Sequence, residues 1–400
     1  MIKNITKIKI PGFLFSGVSC GIKKNNGKDI GIIFSETPAI CAGVFTKNRV
    51  KAAPVKLDIK NIKSSFTRAI LVNSGNANAC TGKKGDKDAL YMAETAAEKL
   101  GIKSKEVLVA STGVIGNLLP MDKVIPGIEK ACEKLNPTGI DDFSHAIMTT
   151  DLYQKTAYEK IKIDGKDISI FGVAKGAGMI CPNMATLLSF VVTDLCIDKK
   201  HLTGCLKDAV NRSYNLITVD TDTSTNDSVI VMANGLAGNK KILNYNKDYE
   251  NFNTALIKIL KKLAKLIVED GEGATKYITI KVKNAKTKIE AKKIAMSVAK
   301  STLVKTAFFG EDANWGRIIC AVGYSGVKVN PDNIDIYIGK IKVASAGSRV
   351  EGISEQKLKK ILEKKEIAVD IDINQGNCSE EVYASDLSFD YVKVNASYRS

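Results

Sequence analysis

Histidine and cysteine, two side chains that often carry out catalysis, occur here in numbers that restrict the possible chemistry. His145 and His201 are the only histidines in the 400-residue sequence, and neither lies in a catalytic motif. The nine cysteines include no pair with CxxC spacing, and their odd number argues against a disulfide framework. We therefore predict no metal site, and an enzyme of this composition needs a base other than the histidine of a Ser-His-Asp triad.

One segment departs from ordinary helix and strand patterns. Residues 174–186 (AKGAGMICPNMAT) combine two glycines with a proline, and a strongly strand-like run, 186–192, follows at once. Glycine adopts backbone conformations that are closed to other residues, so the chain can turn sharply just before this strand. By itself the pattern predicts a tight loop that leads into a core strand.

The overall charge is strongly basic, which raises the possibility of nucleic-acid binding. The formal net charge is +16, but only six of the 59 positive residues are arginine. Recognition of bases and phosphates depends heavily on arginine, whereas dispersed lysines are typical of solvated helix faces. The composition therefore favours small anionic substrates over nucleic acid as partners.

The length of 400 residues allows two or three compact domains, and the composition is that of an ordinary globular protein. Hydrophobic residues make up 44% and charged residues 26% of the sequence. No uninterrupted apolar run reaches the roughly 18 residues that a membrane-spanning helix needs. The first 20 residues contain Pro11, Gly12 and Gly17 and lack an apolar signal-peptide core, so we expect no membrane association and a cytoplasmic location.

Periodicity predicts alternating helices and strands that would position these residues. Helices are predicted at 86–100, with Asp86 as N-cap and Gly101 as its end, and at 199–214, 252–268, 287–300 and 354–364. Strands are predicted at 69–73, 107–111, 277–283, 334–338, 367–373 and 382–394, and a hairpin joins 158–163 to 168–173. The mixture indicates an α+β fold with antiparallel sheets and helices packed outside them.

Several motifs together resemble one enzyme family. Residues 175–186 (KGAGMICPNMAT) are similar to the autoprocessing motif of the ornithine acetyltransferase family of arginine biosynthesis, also called glutamate N-acetyltransferases. In that family the protein cuts its own backbone before the threonine. Further segments match in the same order along nearly the whole chain: 43–54, 72–82, 111–116, 218–227, 269–275, 312–317 and 395–400.

The resemblance implies a nucleophile that carries its own base. Thr186 would attack the carbonyl of Ala185, and hydrolysis of the ester would leave an α subunit, 1–185, and a β subunit, 186–400. The freed amine of Thr186 has a reference pKa of about 7.7–8.0, so it can accept the proton of its own hydroxyl. Such a nucleophile needs no histidine, which agrees with the composition.

The other site residues are carried over from the same resemblance. The Thr112 hydroxyl and the Gly113 backbone N–H would stabilise the tetrahedral oxyanion. Substrate contacts would come from Thr149, Lys175, Thr186, Glu272, Asn395 and Ser400. Lys175 suits a carboxylate and Glu272 an amine.

The residues alone leave other interpretations open. Thr112 and Gly113 could form a strand-end turn, Lys175 could be a solvated lysine, and Glu272 could lie in a helix C-terminal turn. The family pattern Asp-Thr-x-Pro-Lys after Thr149 is replaced here by residues 151–155 (DLYQK), which bears on the shape of that loop. The chain ends Tyr-Arg-Ser where many relatives have Tyr-Thr-Thr, and the final hydroxyl is kept.

The resemblance therefore implies an acetyltransferase that moves acetyl from N2-acetyl-L-ornithine to L-glutamate through acetyl-Thr186. It implies a layered α/β/β/α architecture with mixed and antiparallel sheets, an α2β2 heterotetramer and no cofactor, with acetyl-CoA as a possible second donor. Two rival predictions are an N-terminal-nucleophile aminopeptidase or amidase of the same architecture, and a basic nucleic-acid-binding protein.

Overall fold

The structure is a computed structural model that describes residues 5–181 and 187–397. Thr186, Ala185 and Ser400 lie outside the described residues. The strands are β1 Phe13–Val18, β2 Ile30–Phe45, β3 Thr67–Asn76, β4 Val107–Val114, β5 Lys155–Ile163, β6 Lys166–Lys175, β7 Leu188–Thr193, β8 Ile217–Thr218, β9 Ser228–Ala233, β10 Tyr277–Ala285, β11 Asp335–Ile338, β12 Ile341–Ser345, β13 Ser348–Arg349, β14 Glu366–Asp372 and β15 Cys378–Ser385.

Eleven α-helices accompany these strands in the described part of the chain. They are α1 Ala53–Asn61, α2 Gly82–Leu100, α3 Met121–Glu133, α4 Ile140–Ala146, α5 Lys199–Asn211, α6 Lys247–Glu269, α7 Lys288–Lys300, α8 Thr302–Phe309, α9 Trp315–Gly323, α10 Glu355–Leu362 and α11 Phe389–Ser397. Among the described residues, no helix combines the length and apolar character that crossing a bilayer requires.

The first sheet has eight strands and is divided by the long strand β2. Its order is β4-β3-β2-β9-β7-β6-β5, and β1 also pairs with β2. The first part of β2 pairs with β1 and β3, and the part from Ile40 to Phe45 pairs with β9. A register shift between Phe34 and Ala39 separates the two parts, so one strand belongs to both halves of the sheet.

The two halves of this sheet pack against each other between two layers of helices. Side chains alternate along a strand, and Ile70 of β3 shares a buried cluster with Phe190 of β7 and with Phe143 of α4. Leu71, one residue further along β3, faces a second cluster that includes α2 and α3. On the other half, Val191 of β7 faces α5 and α6. The order of layers is therefore helix, sheet, sheet, helix, and the predicted α+β architecture is confirmed.

A second sheet of seven strands forms the other part of the molecule. Its order is β13-β12-β11-β14-β10-β15-β8, and the sheet is mixed, because β10 runs parallel to β14 and antiparallel to β15. Ile280 of β10 and Val369 of β14 pack with Ile294 of α7 in one buried cluster. Helix α6 packs on β5 and β6 and also contacts β15, which joins the two parts.

Most sequence-predicted elements are present, and the predicted hairpin is confirmed. Strands β5 and β6 pair in register around Asp164 and Gly165, whose φ angles are 51° and 71°. Both angles lie in the left-handed region that a two-residue type I′ turn requires. Helix α2 ends at Gly101, also as predicted, with φ 63°.

Two predictions about element boundaries are wrong. Asp86 does not cap α2, because the helix begins four residues earlier at Gly82, in a first turn without apolar residues that periodicity cannot detect. The predicted strand 382–394 ends at Ser385, and residues from Phe389 onward form α11. The Ser388 hydroxyl accepts a hydrogen bond from the Tyr391 N–H at 3.2 Å, as an N-cap residue does.

Candidate active site

A cavity of about 180 Å³ brings together the predicted site residues that the structure describes. They come from segments far apart in sequence and lie on both parts of the molecule. They are Thr112, Gly113, Thr149, Lys175, Glu272 and Asn395. Leu187, the first described residue after the segment that contains Thr186, also lines this cavity.

Thr112 and Lys175 lie at the ends of two strands of the first sheet and contact each other. Thr112 is near the end of β4 and Lys175 is the last residue of β6. The Lys175 ammonium donates a hydrogen bond to the Thr112 hydroxyl oxygen at 3.1 Å. Because an ammonium only donates, the Thr112 oxygen is the acceptor, and its own hydrogen is available to another acceptor.

Gly113 occupies a position that accepts no side chain. Its φ is +130°, and a Cβ atom there would overlap the Gly75 carbonyl carbon. The close approach occurs where the pairing of β3 with β4 becomes irregular. Glycine is thus required at this edge of the cavity, next to the Thr112 hydroxyl, and the predicted oxyanion pair lies on the cavity wall.

Lys175 is buried, so its interpretation as a solvated surface lysine is wrong. Its exposed fraction is 9%. Burial lowers the pKa of the Lys175 ammonium, while the negative charge of Asp151 acts in the opposite direction. A buried cation at the cavity wall attracts an anionic group more strongly than a solvated one does.

Thr149 reaches the cavity although the loop after it departs from the family pattern. Its backbone N–H donates to the Asp151 carboxylate at 3.0 Å. The other oxygen of the same carboxylate accepts from the Gly176 N–H at 2.8 Å. Asp151 therefore fixes the Thr149 loop against the end of β6.

Glu272 lies on a loop after α6, packs against Gly178 and is followed by Gly273. Its carboxylate covers Gly178, where a Cβ atom would overlap it, and accepts a hydrogen bond from the Asn395 side-chain amide at 2.9 Å. Gly273 has φ +66°, and a Cβ there would overlap the Tyr391 N atom of α11. The loop thus continues beyond a simple helix end and presents Glu272 to the cavity.

Comparison with known proteins identifies the family. The model of the ArgJ family matches residues 14–400. This chain belongs to the ArgJ family. It is 51% identical to "Arginine biosynthesis bifunctional protein ArgJ" of Caldanaerobacter subterraneus, with 98% of each chain covered. It is 49% identical to "Arginine biosynthesis bifunctional protein ArgJ 1" of Clostridium acetobutylicum, covering 100% of this chain and 98% of that protein.

A solved ArgJ structure is also similar to this chain. The crystal structure of "Arginine biosynthesis bifunctional protein argJ" from Bacillus halodurans is 46% identical, with a TM-score of 0.50. The match covers 52% of this chain and 98% of that one. The family and the acyltransferase activity in arginine biosynthesis that we predicted from the sequence are confirmed.

Asn226 is a site residue of this ArgJ-family chain that sequence reasoning did not assign. Its buried side-chain amide donates to the Ala77 carbonyl at 2.6 Å and to the Ser111 carbonyl at 2.8 Å. It therefore ties the end of β3 and the end of β4, where the predicted oxyanion residues lie, to the segment before β9. Its position in the segment 218–227, which matches the family, was the sequence signal that could have identified it.

Asp227, the residue after Asn226, is buried, and its carboxyl group lies on the cavity wall. Burial raises its pKa well above the usual value, and hydrogen bonds from Ser224 and Thr46 and the charge of Lys175 oppose this shift. A buried carboxylic acid that keeps its proton can donate a hydrogen bond, unlike a carboxylate.

Tyr391 also lines the cavity and was missed, because the sequence interpretation placed it in a strand. It lies on α11, one helical turn before Asn395, so both side chains share a face. The sequence Ser-Phe-Asp-Tyr at 388–391, a capping pattern, was the signal for this helix.

Proposed function

We propose that this chain cuts itself between Ala185 and Thr186 and then transfers acetyl from N2-acetyl-L-ornithine to L-glutamate. The observation that carries the proposal is the meeting of six predicted residues in one cavity whose wall includes Leu187, the neighbour of Thr186 in sequence. The solved Bacillus halodurans chain matches 52% of this chain over almost its own full length. This supports the cleavage, because a cut before Thr186 gives two fragments that are each about half of the chain.

In the first step the Thr186 hydroxyl oxygen attacks the carbonyl carbon of Ala185, and the peptide nitrogen departs as an amine. Water then hydrolyses the ester, which leaves a carboxylate on Ala185 and a free amine on Thr186. That amine takes the proton of the Thr186 hydroxyl when the oxygen attacks the acetyl group of acetylornithine. Ornithine leaves with the proton, and the glutamate amine then accepts acetyl from the threonine ester.

The cavity residues have distinct roles in this proposal. The Thr112 hydroxyl, oriented by Lys175, and the Gly113 N–H stabilise the oxyanion of each tetrahedral intermediate. Lys175 attracts a substrate carboxylate, and Glu272 with Asn395 holds a substrate amine. Thr149 contributes a further contact, and we assign Ser400 to substrate binding by the family resemblance.

We test the cleavage by intact-mass measurement of purified protein. Wild type should give fragments 1–185 and 186–400, and Thr186→Ala should give one uncut chain. Thr186→Ser, which keeps a hydroxyl, is the matched control and should still be cut. A wild-type chain that stays whole under active conditions refutes the mechanism.

We test the transfer with acetylornithine in the presence and absence of glutamate. N-acetylglutamate should form only with glutamate, and trapped enzyme should carry one acetyl group on Thr186. Acetate release that does not depend on glutamate would instead indicate a hydrolase. Because the relatives are named bifunctional, we further propose acetyl-CoA as a second donor, and the same assay with acetyl-CoA tests it.

We also propose that the two fragments assemble as an α2β2 heterotetramer in the cytoplasm, as the family resemblance implies. Helix α6 of the second fragment packs on β5 and β6 of the first, so the fragments share a buried core that would hold them together after cleavage. Light scattering of the cleaved enzyme should give twice the mass of the full chain.

A further inference from the structure

A buried ionic cluster lies behind the cavity and includes the two ends of the divergent motif. Asp151 and Lys155 keep the family residues at both ends of that motif, while Leu152 and Gln154 between them differ from it. The Lys155 ammonium donates to the carboxylates of Asp151 and Asp270. All three side chains have an exposed fraction of 0%. We call these three residues the buried triad.

Within the triad, Asp151 contacts two segments that line the cavity. One carboxylate oxygen accepts from the Thr149 N–H at 3.0 Å, and the other accepts from the Gly176 N–H at 2.8 Å. Gly176 directly follows Lys175. Asp151 therefore sets the backbone at Thr149 and at the end of β6 at the same time.

Asp270 is equally buried but has different contacts, and burial outweighs the charge of Lys155 and raises the pKa of its carboxyl group. Besides Lys155, its carboxylate accepts from the Leu152 N–H at 3.1 Å, and the structure gives it no hydrogen bond to Thr149 or Gly176 within the described residues. It precedes Glu272 by two residues. The two carboxylates of the triad thus form a matched pair, of which only Asp151 holds the segments of Thr149 and Lys175.

Stability alone does not explain a triad of this kind. Taking charges out of water is unfavourable, and apolar side chains of similar volume are often at least as stabilising as a buried ion pair. Two carboxylates also exceed one ammonium, so a further cation is needed to balance the charge. Burial opposes ionisation of Asp151, but Lys155 and Lys175 lower its pKa below the usual range.

Lys175 is the cation that completes this balance. The charged and titratable groups that face it are Asp151, Lys155, Glu272, Asp227 and Lys23. Among them Asp151 contributes most to keeping the ammonium protonated against the effect of burial. Loss of the Asp151 charge would lower the pKa of Lys175 further, so its positive charge would disappear at a lower pH.

We propose that Asp151 is a positioning residue for acetyl transfer, which holds the backbone at Thr149 and at Gly176 so that Thr149 and Lys175 face the substrate. Lys155, which also pairs with Asp270, holds Asp151 in place. This inference rests on the proposed function, because it takes Lys175 as the group that binds the carboxylate.

The test compares Asp151→Asn with Asp270→Asn in the purified full-length protein. Each variant removes one carboxylate from the triad and leaves Lys155 with one carboxylate partner. For Asp151→Asn we expect KM for acetylornithine to rise about tenfold, the effect of one lost charged contact, with a smaller change in kcat. KM should also start to rise at a lower pH than in wild type, whereas Asp270→Asn should keep the wild-type pH profile of KM.

Further variants separate charge from shape. Lys175→Arg, added to Asp151→Asn, should remove the shift in the pH profile, because an arginine stays protonated. If Asp151→Asn does not fold, Asp151→Glu replaces it, with an expected rise in KM and a wild-type pH profile.

Four outcomes overturn the inference. Equal pH profiles for the two asparagine variants would reduce Asp151 to a structural role, and a wild-type KM for Asp151→Glu would exclude positioning. An active wild type with an indistinguishable Asp151→Asn would refute this inference alone. A wild type without transfer from acetylornithine to glutamate would refute the proposed function as well.

Discussion

The two walls of the cavity are built in different ways. Thr112 and Lys175 lie at the ends of β4 and β6, inside the layered part of the molecule, and the triad lies behind Lys175. Glu272 and Asn395 lie opposite, on a loop and on α11, a helix without fully buried residues among those described. The first wall is held by strand pairing and buried charge, the second by a few hydrogen bonds at the surface.

This difference separates two tasks. Stabilising a developing charge needs donors held within fractions of an ångström, which strands and buried networks provide. Binding and releasing two substrates in turn tolerates a less constrained wall. We therefore expect substitutions of the oxyanion donors on the first wall to lower kcat, and substitutions on the second wall to raise KM.

The largest expected effect is on the first wall, at Thr112. Thr112→Ala removes the hydroxyl that Lys175 orients, so kcat for acetyl transfer should fall about 100- to 1,000-fold. The thermal midpoint should stay close to that of wild type, since Thr112 is only half-buried. Thr112→Ser is the control and should keep most of the activity. Normal turnover by Thr112→Ala would remove Thr112 from the oxyanion role.

The second prediction compares the buried lysines of the two parts. Lys155 contacts two carboxylates, whereas Lys305, 2% exposed, donates to the Ser385 carbonyl and has no carboxylate within salt-bridge distance among the described residues. Burial lowers the pKa of Lys305 from 10.5 to about 8, against the charges of Asp386 and Asp220. Between these two pH values the unfolded chain binds the extra proton, so wild-type stability should rise with pH.

Lys305→Met has no group at this position that binds a proton, so it tests the predicted pH dependence. Between pH 7 and pH 10.5, the unfolding free energy of wild type should increase by about 3 kcal/mol relative to that of Lys305→Met. Thermal unfolding of the uncut Thr186→Ala chain over this pH range measures it. Lys300→Met, at an exposed position of α7, is the control. A difference that does not change with pH would show that the Lys305 ammonium stays charged and solvated in the folded protein over this range.

The third prediction concerns the second wall. Glu272→Gln keeps an oxygen that can accept from Asn395 but removes the charge, so KM for acetylornithine should rise about tenfold with kcat changed little. Glu269→Gln, at the end of α6 and paired with Lys265, is the matched control and should leave KM unchanged. A fall in kcat as large as that of Thr112→Ala would contradict the division between the walls.

Sequence patterns predicted the first wall better than the second. Alternation and the Asp164-Gly165 turn gave the hairpin of β5 and β6, whose end carries Lys175. On the second wall, apolar residues at 389, 391, 392 and 394 fit neither period clearly, and the segment was assigned to a strand. The Ser388 cap and the packing of Phe389 on Phe309 stabilise a helix in this segment.

Positioning residues could not be assigned from the sequence for a different reason. Asn226 acts through carbonyl groups 115 and 149 residues away, and Asp270 meets Lys155 across 115 residues. A local pattern contains no information about such partners. The motif match identified groups that line the cavity, and only the tertiary structure shows which groups hold them.

The smallest expected effect is at Asn395. Its side chain is exposed, and its amide donates to Glu272 at 2.9 Å and to the Tyr391 carbonyl at 3.0 Å. An exposed hydrogen bond of this kind contributes about 0.5–1.5 kcal/mol, so Asn395→Ala should raise KM roughly threefold and leave kcat and the thermal midpoint unchanged. If Asn395→Ala instead lowered kcat a hundredfold, the exposed wall would also take part in the chemistry, and the assignment of catalysis to the strand ends would fail.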